Sequence, residues 1–146
     1  KMDVNIEMIS DGDIVASLRV ASEEADIYMG IGSAPEGVIA ATATKGLDGF
    51  FDGKLYFHSD EARARAIKMS DHPIEKKLDI NKLCKSDNSI FIATGVCDGW
   101  IPGVVIKNDT AFTSSLLIDV RARKMTKISN SYSVSEINKY ILEGVA

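Results

Sequence analysis

Tyr28-Met29-Gly30-Ile31-Gly32-Ser33-Ala34-Pro35-Glu36-Gly37 decides how the rest of the chain is read. The apolar run from Ile27 to Ile31 predicts a short buried strand. Gly30 and Gly32 free the backbone as it leaves the sheet, and Pro35 suits the first turn of a helix. Such a strand-turn-helix junction is where α/β folds open their crevices, because the first helix amides are unpaired and the dipole is positive there. Glu36 falls in that first turn.

Working outward, Val4 to Ile9 reads as a strand broken by Ser10-Asp11-Gly12-Asp13, after which Ile14, Val15 and Leu18 take up helical spacing to about Ser22. Beyond Pro35 a helix rich in small residues is expected to end near Gly46 or Gly49, with Val38, Ile39 and Thr42 facing the sheet. Asp52-Gly53 predicts a tight turn before a short strand at Leu55 to His58. Ser59 is placed to cap a helix through Met69, with Ala62, Ala66, Ile67 and Met69 as its apolar contacts and His72-Pro73 interrupting it. Residues 74–88, carrying Ile80 and Leu83, predict a short helix or irregular connection.

Ser89 to Thr94 has the composition of a central strand and ends in a turn over Thr94 to Gly99. Val104 to Lys107, Ala111 to Val120 and Met125 to Ile128 predict paired strands, with a turn at Asn108-Asp109. Ser133-x-x-Glu136 fits a capping box opening a final helix. The fold class expected is α/β, a mixed sheet flanked by helices with an antiparallel hairpin at its end.

The bulk properties narrow the function classes. A chain of 146 residues with 45% hydrophobic residues is the size of one domain able to bury a core. Its 17 basic and 21 acidic residues give a net charge of −4 without long runs, so neither nucleic acid nor an anionic membrane is suggested as a partner. No apolar segment approaches the roughly 20 residues of a membrane helix, and no signal-peptide pattern opens the sequence, which points to the cytoplasm. Cys84 and Cys97 lack paired spacing, and His58 and His72 do not complete a metal cluster with them. The abrupt entry from Lys1-Met2-Asp3 into an apolar run fits either a truncated chain or a tidy N-terminal strand, and the composition does not decide between them.

Two junctions can carry chemistry. Ser33-Ala34-Pro35-Glu36 is a capping box, in which Glu36 reaches back to the Ser33 amide. The competing reading has Glu36 lean into the crevice and bind a divalent cation, since Mg²⁺ and Mn²⁺ take carboxylate oxygen and leave positions for phosphate and water. At Asp11-Gly12-Asp13 an Asp can serve as N-cap. Alternatively, the two carboxylates can accept hydrogen bonds from sugar hydroxyls while Gly12 lets the backbone come close. Gly30-x-Gly32 is not a dinucleotide fingerprint, because Pro35 stands where the third glycine belongs. Arg63, Arg65 and Lys68 could meet a phosphate or form a solvated face, and Thr94 to Gly99 could line the crevice or be a plain turn.

Asp26-Ile-Tyr-Met-Gly-Ile-Gly-Ser-Ala-Pro-Glu-Gly-Val38 resembles the signature of class II, GlpX-type fructose-1,6-bisphosphatases. Further stretches follow the same order: Ser10 to Asp13, Arg63 to Met69, Asp87 to Gly99, and Thr113 to Leu117. The resemblance covers about residues 3 to 130. It implies the C-terminal half of the layered α/β sandwich of the lithium-sensitive sugar phosphatase superfamily. The activity it implies is Mn²⁺- or Mg²⁺-dependent removal of the 1-phosphate of fructose 1,6-bisphosphate, a gluconeogenic step. By this resemblance Glu36 matches the metal-binding Glu, and Asp11, Gly12 and Asp13 match the substrate-contacting Asp-Gly-Asp. Ser33 stands at a substrate-contacting position where the family usually has glycine, and Trp100 and Pro102 also depart from its pattern.

Family chains are roughly twice this length, near two domains, and the motifs of their N-terminal half do not occur here. That half is taken to supply the remaining metal carboxylates and the catalytic acids, so no catalytic residue is assigned in these 146 residues and the segment alone is expected to be inactive. The partners expected are the sugar bisphosphate, the N-terminal half of the same enzyme, and further copies in a homo-oligomer. Two alternatives stand beside this reading: a catalytically silent sugar-phosphate-binding or regulatory module, and a related phosphatase acting on sedoheptulose 1,7-bisphosphate or an inositol phosphate.

Overall fold

A computed structural model describes residues 3–70 and 73–142. The elements in order are α1 (Asp13–Ala21), α2 (Ala34–Gly46), β1 (Asp52–Gly53), α3 (Asp60–Met69), β2 (Leu78–Asp79), α4 (Ile80–Leu83), β3 (Ile90–Thr94), β4 (Val105–Lys107), β5 (Thr110–Asp119), β6 (Lys124–Ser133) and α5 (Val134–Leu142). β5 is the spine of the main sheet. β6 pairs along its whole length, while β4 and β3 share its other edge, β4 against Thr110–Phe112 and β3 against Ser115–Asp119. Two tight connections impose this meander: Asn108 (φ 54°) turns β4 into β5, and Arg123 (φ 49°) closes the β5–β6 loop.

One face of this sheet carries α1 and α2. Leu18 from α1, Ala43 from α2, Phe91 from β3, and Leu116 and Ile118 from β5 form a single buried cluster. Complete burial of side chains such as Leu18 and Ile118 stabilises the fold by roughly 1.5–3 kcal/mol each. α2 approaches the sheet closely: a Cβ on Gly46 would lie 2.4 Å from the Ile118 side chain. On the other face Ile90 and Ile92 are exposed. Among the described residues no helix is long and apolar enough to cross a membrane.

Several expectations are corrected. Val4–Ile9 and Ile27–Ile31 have no regular secondary structure and belong to no ladder among the described residues, and Ile27, Met29 and Ile31 are 69%, 83% and 76% exposed rather than buried. A strand exists only through its partner, and these segments have none here. The described sheet pairings are therefore all antiparallel, not mixed, and β3 is paired on one side only instead of lying centrally. Asp52-Gly53 is not a turn: it pairs with Leu78-Asp79, and Leu55–His58 forms no strand. The face of α2 turned inward carries Ala40, Ala41, Ala43, Thr44 and Gly46, while Val38 and Ile39 are exposed. No residue of α3 is buried, so Ile67 and Met69 make no core. The break expected at His72 lies outside the described residues.

The helix signals hold. Ser59 caps α3 by accepting the Ala62 amide, an interaction worth about 1 kcal/mol. Ser133 accepts the Glu136 amide at the start of α5. A second anchor of α5 was not visible in the sequence: Asp109, in the β4–β5 turn, accepts the Ser135 amide at 3.0 Å and the Ser135 and Ser133 hydroxyls at 2.6 and 2.8 Å. These donors, the Ser135 hydroxyl foremost, hold the Asp109 carboxyl below its ordinary value. A depressed carboxyl stabilises the folded arrangement above the unfolded pKa and loses that contribution as pH falls through the folded one. Amide exchange over residues 134–139, corrected for intrinsic rates, should therefore accelerate below about pH 3.9, and Asp109→Ala should remove that pH dependence.

Candidate active-site wall

The segment Tyr28–Glu36 lies against the start of α1, and its alternation explains how. At every second residue a neighbour closes over the backbone, the Tyr28 side chain at Gly30 and Asp13 at Gly32, whereas Ile27, Met29 and Ile31 are exposed. The two glycines leave room for this. The Tyr28 hydroxyl occupies the space a Cβ on Gly30 would need (2.1 Å), and Asp13 Oδ2 the space of a Cβ on Gly32 (2.2 Å). Tyr28 donates its hydroxyl to Asp13 Oδ1 at 2.6 Å. Burial, the bond to Asp13, and the charges of Asp13 and then Glu36 push the phenol up to about 12, so it remains a donor.

Glu36 meets the same point from the other side, its Oε2 lying 3.4 Å from that ideal Gly32 Cβ. Oε2 accepts both the Ser33 amide (2.9 Å) and the Ser33 hydroxyl (2.8 Å), within the expected capping box. These two bonds, the backbone one first, lower the Glu36 pKa and keep it ionised. Both go to one oxygen. The cap thus leaves the second carboxylate oxygen unused, and the capping and cation-binding readings of Glu36 are geometrically compatible. Ser33 is extended (φ −72°, ψ 152°), a conformation open to any residue, so the serine in place of glycine introduces no backbone strain.

Asp11 and Gly12 sit at the neighbouring junction. The N-cap of α1 is Gly12 rather than an Asp, at φ 92°, with nothing near its would-be Cβ. The left-handed backbone, not crowding, calls for glycine there. Asp11 is exposed and, among the described residues, accepts its neighbour's amide, from Gly12 at 2.7 Å, and does not cap the helix. Asp13, Gly32, Ser33 and Glu36 are thus brought together, with Asp11 and Gly12 on the adjoining turn.

Arg63 forms an exposed ion pair with Glu75, as on a solvated face. In the loop after β3, Trp100 donates to the Glu24 carboxylate (2.9 and 3.0 Å) beyond the C-terminal end of α1. Trp100 also packs on the core cluster, which gives the departure at this position a structural role. A groove of about 660 Å³ opens behind Tyr28 toward Thr44, Leu47 and Phe50, and neither Asp13 nor Glu36 lines it. Tyr28 itself was missed as a site residue, although the Tyr-x-Gly-x-Gly alternation carried the signal.

Among the described residues no group of three His, Cys, Asp or Glu side chains is placed to hold a metal ion. The donors present are hard carboxylate oxygens of the kind Mg²⁺ and Mn²⁺ select, but too few to bind a cation by themselves.

Residues 1–132 match the family model described as bacterial fructose-1,6-bisphosphatase, glpX-encoded. The chain is 32% identical to the class 2 fructose-1,6-bisphosphatase 1 of Escherichia coli, over 89% of this chain and 43% of that protein. It is 36% identical to the D-fructose 1,6-bisphosphatase class 2/sedoheptulose 1,7-bisphosphatase of Prochlorococcus marinus subsp. pastoris, over 77% of this chain and 39% of the relative. The chain therefore spans about two-fifths of the length of these curated relatives. With the matched region taking in the whole Asp13–Gly32–Glu36 convergence, the chain belongs to the family of bacterial, glpX-encoded fructose-1,6-bisphosphatases.

Proposed function

We propose that this chain forms one wall of the active site of a divalent-cation-dependent sugar bisphosphatase, hydrolysing the 1-phosphate of fructose 1,6-bisphosphate to give fructose 6-phosphate. The observation that supports it best is the convergence of Asp13 and Glu36 on Gly32 within a member of this family. In this reading residues 1–146 are a single C-terminal domain of a longer phosphatase, whose N-terminal half contributes the remaining cation ligands and the catalytic acids. The layered sandwich of the lithium-sensitive phosphatases, a cytoplasmic location and a homo-oligomeric state belong to the same reading.

The roles follow from chemistry. Glu36, held ionised by Ser33, offers its unused oxygen to Mn²⁺ or Mg²⁺. The bound cation supplies charge for the phosphoryl oxygens and a more acidic water. Asp11 and Asp13 accept hydrogen bonds from sugar hydroxyls, Gly12 lets the sugar near the backbone, and Ser33 borders it. The similarity to the Prochlorococcus fructose 1,6-/sedoheptulose 1,7-bisphosphatase favours sedoheptulose 1,7-bisphosphate as a second substrate.

Phosphate release from fructose 1,6-bisphosphate and sedoheptulose 1,7-bisphosphate, measured with Mn²⁺ or Mg²⁺, tests the reading in the full-length enzyme and in residues 1–146 alone. Cation-dependent turnover by the first and none by the second is expected. Robust turnover by the segment alone, or none by the full-length enzyme on either sugar, would overturn it.

A further inference from the structure

We infer that Tyr28 is a positioning residue for substrate recognition, its hydroxyl holding one oxygen of Asp13 so that the other stands over Gly32 beside Glu36. The inference rests on the proposed contact between Asp13 and the sugar. Three observations carry it. The bond from Tyr28 to Asp13 Oδ1 is short, at 2.6 Å, and partly buried. The phenol's seat exists only because residue 30 has no Cβ. The same glycine alternation frees the space that Asp13 Oδ2 fills at residue 32.

An aspartate side chain has two rotatable bonds, and a carboxylate left to rotate presents a sugar hydroxyl with a spread of geometries. Fixing one oxygen removes that freedom before the substrate arrives, which is how a supporting hydrogen bond improves binding without touching the ligand. Asp13 is also anchored from below as the first residue of α1, where its carbonyl accepts the Ser17 hydroxyl at 2.9 Å. Backbone and side chain are thus both constrained, and Tyr28 supplies the side-chain part.

The test is a double-mutant cycle in the full-length enzyme with fructose 1,6-bisphosphate. Tyr28→Phe is expected to raise KM about three- to tenfold, the scale of one ordinary net hydrogen bond because the effect on the sugar is indirect, with kcat within about twofold. Gly30→Ala, which pushes the phenol from its seat, should do the same. In an Asp13→Ala background neither change should add anything. If Tyr28→Phe leaves KM unchanged while Asp13→Ala raises it, or if its effect is the same in the Asp13→Ala background, Tyr28 does not act through Asp13 and the inference alone falls. If Asp13→Ala leaves KM unchanged, the assigned sugar contact falls and takes the inference with it. A merely structural Tyr28 would lower thermal stability and active fraction without this coupled KM change.

Discussion

Glu36→Gln in the full-length enzyme is expected to lower cation-dependent kcat/KM on the order of 100-fold, while the melting temperature of the cation-free protein stays within about 2 °C. The two readouts separate the roles that Glu36 combines. Glutamine at the third helical position still completes a capping box, so the bonds that Ser33 now gives to Oε2 can be kept by the amide oxygen. What glutamine cannot keep is the negative charge. A divalent cation selects anionic oxygen, and the remaining ligands would have to hold it with one fewer charge. Raising Mn²⁺ concentration should therefore recover part of the lost activity. Steady-state rates across a Mn²⁺ series, beside a thermal melt, give the answer. Near-normal activity at ordinary Mn²⁺ would confine Glu36 to capping α2.

The part of this site legible in the sequence was the part that is local. Ser33-x-x-Glu36 and Ser133-x-x-Glu136 announce helix starts within four residues, and α2 and α5 begin there. The hairpin strands were similarly readable, because Asn108-Asp109 fixes a turn and the turn fixes the register. Strand identity at Ile27–Ile31 was not, since the apolar run specifies an extended, buried preference but not the neighbour that would fulfil it. The buried face of α2 was misread for a related reason. Bulky Val38 and Ile39 look like the core, yet the helix lies so close to β5 that Ala43 and Gly46 fit and larger residues would not. Bringing Asp13 to Gly32, a separation of nineteen residues, depends on how α1 meets the Tyr28–Glu36 segment, and no single window contains that.

Gly32→Ala puts this convergence to the sharpest geometric test, with KM for fructose 1,6-bisphosphate expected to rise at least about tenfold and the Mn²⁺ dependence expected to stay as it is. The added methyl would stand 2.2 Å from Asp13 Oδ2, so one of them must move. The yielding group is the end of a side chain and not backbone, and Gly32 is outside the left-handed region, so alanine brings no conformational strain and the fold should tolerate it. Asp13 then swings from the crevice, breaking its bond to Tyr28 or turning its free oxygen away. Glu36 has no reason to follow. The same methyl meets its Oε2 at 3.4 Å, close to an ordinary contact, and the Ser33 cap continues to hold it. One methyl group should therefore separate sugar recognition from cation binding: a substrate-binding defect in Gly32→Ala, a cation defect in Glu36→Gln. Loss of Mn²⁺ activation in Gly32→Ala would mean that the two carboxylates act as one unit, and the division of roles between them would have to be given up.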